Sequence, residues 1–114
     1  MLTPIPELVA QIKKNIQFAS ANDAQSVLAK GEAVLIDVRE PSEFAQRSAH
    51  GAINIPRGLI EMKMAQLYPD PNQRIFVHCA TGARACFAAE QLNRIGYRNV
   101  VAITCPLDGV CDAI

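Results

Sequence analysis

At 114 residues, 50% of them apolar and 19% charged, with a formal net charge of zero, the chain has the make-up of a single globular domain. That balance leaves no electrostatic footprint for nucleic acid or for an anionic membrane surface. No apolar run approaches the roughly 18–20 residues that span a bilayer, and the opening MLTPIPELVAQIKKN lacks the basic start and apolar core of a signal peptide, so a cytoplasmic address is expected.

In chain order, residues from Glu7 to Asn15 read as an additional N-terminal helix, which sets off segment 1–14 as an addition to the domain. Asn15–Ser20 (NIQFAS) alternates apolar and polar residues and suits an edge strand. Asn22 or Asp23 is expected to cap a helix running to about Ala29 and closed by Gly31. Ala33–Val38 (AVLIDV) is a nearly continuous apolar run, as befits a strand buried on both faces of a parallel sheet. PSEFAQR follows with Pro41 in a first turn and Glu43 where it favours the helix dipole. Ala52–Pro56 is a short strand candidate stopped by its proline, and Arg74–Cys79 (RIFVHC) is a second continuous apolar run.

The helix after Cys79 is the best signalled, with Ala85, Ala88, Leu92 and Ile95 at helical spacing and Gly96 as its stop. Asn99–Thr104 (NVVAIT) completes the strands. Strands alternating with helices predict an α/β three-layer domain: a mainly parallel five-stranded sheet flanked by helices on both faces, one domain over 1–114 without repeat or linker.

The four cysteines, Cys79, Cys86, Cys105 and Cys111, lack C-x-x-C spacing and have no histidine at ligand distance along the chain, so neither metal nor other cofactor is expected. Reduced thiols are expected. Cys79 ends a central strand, where ligands collect in open parallel sheets. Ala80, Thr81, Gly82 and Ala83 then form a loop of small residues before Arg84 and Ala85 open a helix. Such a loop can curl its N–H groups inward into an anion-binding nest backed by the helix dipole. Gly82 takes positive φ without penalty in such a curl. A cysteine facing the nest is favoured as thiolate, its nucleophilic form. The loop residues Ala80–Ala85 are therefore the expected substrate-binding segment, with Cys79 catalytic.

HCATGARA resembles the active-site loop of rhodanese-like sulfurtransferases in its C-x-x-G-x-R form. VLIDVREPSEFAQRSAHGAINIP resembles the family's other hallmark, an Asp-x-Arg strand end followed by F-x-x-G-H-I-P-G-A-I-N-I-P. The resemblance runs from about Asn15 to the C-terminus. It departs where Ser48 holds the usual histidine position and His50 the usual proline position, and where a GGIDAW-type segment is replaced by CPLDGVCDAI. From the latter, residues 105–114 are expected to be a shortened C-terminal segment, with Cys111 in a mobile tail.

The resemblance implies transfer of a sulfane sulfur from a small donor such as thiosulfate to a thiophilic acceptor, cyanide or a thiol, through a Cys79 persulfide. Arg84 either binds the donor's oxyanion or closes the loop as a salt bridge. Asp37 and Arg39 are supporting residues at a neighbouring strand end, bordering the same crevice, with Glu43 as a partner for Arg39. His78 should point away from Cys79 by strand alternation, and His50 is structural. Cys105 is a candidate resolving thiol if its sulfur approaches Cys79; Cys86 is packed.

Two other classes compete with this sulfurtransferase. One is a sulfur-carrier or protein-binding module, with a protein donor or acceptor and little free-standing turnover. The other is a small-anion phosphatase or arsenate reductase, disfavoured because phosphatase loops of this type place five residues, not four, between cysteine and arginine.

Overall fold

A computed structural model describes all 114 residues. The chain forms α1 (Ile5–Lys13), β1 (Gln17–Ala19), α2 (Ala21–Ala29), β2 (Val34–Asp37), α3 (Pro41–Gln46) and β3 (Ile53–Asn54). A 3₁₀ turn, Arg57–Leu59, leads into α4 (Ile60–Leu67), followed by β4 (Arg74–His78), α5 (Ala83–Ile95), β5 (Asn99–Ile103) and α6 (Leu107–Ala113). All strand pairs are parallel, in the order β1-β5-β4-β2-β3. The apolar runs occupy the three central strands, and the edges fall to β1 and β3, of three and two residues. This is the expected α/β sandwich, with short strands where pairing ends.

Alternation divides the core. Along β4, Ile75 and Val77 enter one apolar cluster with Ile12 of α1, Ile60 and Met64 of α4, and Leu92 of α5. Phe76 enters another, with Ala21 and Ala24 of α2, Leu35, Ile103 and Val110 of α6. The sheet thus carries α1, α4 and α5 on one face and α2 and α6 on the other. Helix α1 packs on α5 of its own domain through Ile12, Leu8 and Val9.

Several elements differ from expectation. Helix α2 is capped by Ser20, not Asn22 or Asp23: Ser20 is extended and its Oγ accepts from the Asp23 N–H at 3.2 Å. Helix α4 was not expected, because Met62 and Leu67 are exposed and blur the stripe formed by Ile60 and Met64. Ile95 closes α5 but is 48% exposed; the buried stripe is Ala85, Ala88, Ala89 and Leu92. In place of a mobile tail stands α6, whose Val110 is fully buried and whose Leu107 N–H donates to the Ala80 carbonyl at 2.9 Å.

Candidate active site

Cys79 follows the last residue of β4 and is 1% exposed, among the apolar side chains of the α1/α4/α5 face. Its Sγ accepts from the Gly82 N–H at 3.0 Å and from the Ala85 N–H at 3.4 Å. Gly82 is the N-cap of α5 and has no side chain to offer the free amides of the first turn. The sulfur takes that role, and the helix dipole adds to the two N–H groups in favouring negative charge on it. Gly82 sits at φ +106°, and a Cβ there would lie 3.2 Å from the Thr104 carbonyl oxygen, so the curl depends on glycine twice over. Ala80, Thr81 and Ala83 add no charge beside the sulfur.

Arg84 closes the loop. Its two terminal nitrogens donate to the Glu43 carboxylate at 2.7 and 3.0 Å. The Glu40 N–H donates to the same carboxylate at 3.0 Å. These contacts, Arg84 first and the backbone second, hold the Glu43 carboxyl down at about 2. Arg84 is the second residue of α5, directly before Ala85 whose N–H reaches the sulfur, so the half-exposed pair stands beside the loop.

Asp37 and Arg39 occupy a different place from the crevice expected for them. Ile36 and Val38 belong to the cluster that contains Cys79, so Asp37 points to the opposite face of the sheet. Both residues are buried, Asp37 completely. Arg39 binds the Asp37 carboxylate through Nε at 3.0 and 3.1 Å and through a terminal nitrogen at 2.7 Å. Glu43 offers Arg39 its main-chain carbonyl rather than its carboxylate, at 3.4 Å, and the Arg47 carbonyl accepts at 2.6 Å. Asn54 donates to the Asp37 and Arg39 carbonyls at 3.1 and 2.9 Å. Arg39 therefore holds the main chain of α3 at Glu43 and at Arg47 just past its C-terminal end, on the helix that presents Glu43 to Arg84. Arg47 in turn pairs with Asp108 of α6.

His78 points, as alternation requires, toward Asp37, with Nε2 3.7 Å from the carboxylate and neither ring nitrogen hydrogen-bonded. Burial pushes it down from its ordinary value, so the ring is neutral. Cys86 is buried on α5 in the cluster that contains Cys79, and desolvation pushes its thiol up.

Cys105 Sγ accepts from the Ala21 N–H at 3.3 Å and packs with the α2/α6 cluster. Its sulfur and that of Cys79 thus lie in clusters on opposite faces. Direct transfer between them requires Cys105 to leave its α2 bond. His50 is exposed beside a cavity of about 330 Å³ lined by Gln25, Leu28, Leu35 and Ile53, which Cys79 does not reach. Sequence reasoning missed Glu43 as the partner of Arg84 and missed Arg47 and Asn54. Their partners are distant in the chain, and only the FAQR and AINIP segments hinted at them.

A family model for the rhodanese-like domain matches residues 20–109. The thiosulfate sulfurtransferase PspE of Escherichia coli (strain K12) is 38% identical over 65 residues, 57% of this chain and 62% of that protein, so less than two thirds of the relative is spanned. A thiosulfate sulfurtransferase from Pseudomonas aeruginosa superposes with a TM-score of 0.79 at 30% identity, covering 90% of this chain and 20% of that one. The human single-domain sulfurtransferase TSTD1 superposes with a TM-score of 0.74 at 25% identity, covering 85% and 96% of the two chains.

Proposed function

The chain belongs to the rhodanese-like domain family, and from that premise we propose that it is a sulfurtransferase working through a persulfide on Cys79. The observation that carries the reading is the pair of N–H groups, from Gly82 and Ala85, converging on Cys79 Sγ. In the first step the Cys79 thiolate attacks the outer sulfur of a donor such as thiosulfate. The donor's S–S bond breaks, and sulfite leaves with that electron pair. The negative charge now rests on the outer sulfur of the persulfide, where N–H groups of the loop stabilise it without reorganising. In the second step cyanide or a thiolate attacks this outer sulfur, the persulfide S–S bond breaks, and Cys79 departs as the thiolate.

Asp37 and Arg39 are supporting residues in this reading. They hold α3 from across the sheet and touch no reacting atom. Cys105 as a resolving thiol is the weaker part, given its bond to α2. Small donors suit a sulfur that is 1% exposed.

Sulfur transfer from thiosulfate to cyanide, read as thiocyanate, tests the proposal in the wild type and in Cys79→Ala. Turnover in the wild type that vanishes in the variant is expected. Undiminished turnover in Cys79→Ala overturns it. A persulfide that forms without turnover assigns the chain instead to sulfur carriage between protein partners.

A further inference from the structure

Arg84 is the only charged side chain of the loop, since the positions between it and Cys79 are Ala80, Thr81, Gly82 and Ala83. Alone, it would draw anions toward the sulfur. It is not alone: both terminal nitrogens are taken by the two oxygens of Glu43. Glu43 is itself fixed by the Glu40 N–H and by the grip of Arg39 on the main chain of α3. The pair is 36% and 35% exposed, so an incoming solute can meet it. A bidentate guanidinium–carboxylate pair has no net charge and commits two of the five guanidinium N–H donors to its partner.

We propose that Glu43 is a specificity-determining residue for the charge of the sulfur donor: by occupying Arg84 it withholds the loop's one cation. The donor meets backbone N–H groups alone, and the site discriminates less between anionic and neutral molecules than it would with Arg84 uncompensated. Glu43 acts through Arg84 and is a positioning residue, not a catalytic one. Where it concerns donors, the assignment rests on the sulfur-transfer reading; where it concerns the charge preference of Cys79 chemistry, it does not.

The test uses two alkylating agents of like size and opposite demand, anionic iodoacetate and neutral iodoacetamide, with the rate constants measured at Cys79. Glu43→Gln keeps the shape, and its one amide oxygen can still accept from the Glu40 N–H and one Arg84 nitrogen, while the charge and the second Arg84 bond are removed. The iodoacetate-to-iodoacetamide ratio is expected to rise about fivefold, the effect of one uncompensated charge if it acts in water from about 4 Å of the reagent's carboxylate. Adding Arg84→Gln should return the ratio to the wild-type value, and Arg84→Gln alone should push it below that value. Concentrated salt should erase these differences.

With thiosulfate, Glu43→Gln should lower KM severalfold and change kcat little, whereas mere loosening of the loop would depress kcat. An unchanged ratio in Glu43→Gln, or a raised one that persists in the double variant, overturns the assignment. A shifted ratio in a protein that transfers no sulfur upholds Glu43 and overturns the sulfur-transfer reading alone.

Discussion

The two faces of one sheet hold their polar groups in opposite ways. On the α1/α4/α5 face, Cys79 sits in an apolar cluster and its only hydrogen-bond partners are backbone N–H groups. On the α2/α6 face, Asp37, Arg39 and His78 are buried together, side chain against side chain. Backbone donors are carried by the fold itself and neither titrate nor rotate, so they suit a site where charge appears on sulfur during reaction. The side-chain cluster is where the structure is held shut, and it reaches the site only through the chain Asp37–Arg39–α3–Glu43–Arg84. Reactivity and rigidity are thus supplied from different sides of the same strands.

Breaking the buried side should cost most. Arg39→Ala leaves the Asp37 carboxylate buried without its partner and frees the Glu43 and Arg47 carbonyls. A loss of about 3–5 kcal/mol is expected in denaturant unfolding. A loss below about 1 kcal/mol would show that the cluster relaxes into water and is not the clamp described.

His78 should make stability depend on pH. Its ring is neutral in the fold because burial lowers its proton affinity, while in the unfolded chain it titrates near 6.5. Below that value the unfolded state binds more protons than the native state, so the stabilisation is complete above about 6.5 and is lost as pH falls. The slope is at most about 1.4 kcal/mol per pH unit. Thermal unfolding between pH 7.5 and 5 should reveal it, and His78→Asn should flatten it. Glu43 does not confuse this window, because its contribution is present above its ordinary value near 4.5 and falls away only toward about 2.

The smallest effect on stability belongs to the rim. Arg84→Ala removes a pair more than a third exposed and should cost about 0–1 kcal/mol. A cost as large as that of Arg39→Ala would erase the distinction between the two faces.

Much of this was readable in the amino-acid order. The central strands declared themselves as unbroken apolar runs, and Cys79, Gly82 and Arg84 fall so close together that one strand–loop–helix turn brings them into a site. Asp37 and Arg39 were readable as a pair by the strand period of two, although Glu43 at helical distance was preferred as the partner. The Arg84–Glu43 and Arg47–Asp108 pairs were not readable, being 41 and 61 residues apart. Nor was α6 expected: CPLDGVCDAI offers little helical stripe, and only the packing of Val110 among Ala21, Ala24 and Ile103 accounts for the helix.

The central claim is that Cys79, and no other thiol, carries the sulfur. Treating the protein with thiosulfate and locating added sulfur by peptide mass spectrometry tests it most directly. One extra sulfur on Cys79, none on Cys86, Cys105 or Cys111, and none anywhere in Cys79→Ala is the predicted result. Sulfur found on Cys105, or retained by the Cys79→Ala protein, would contradict the account.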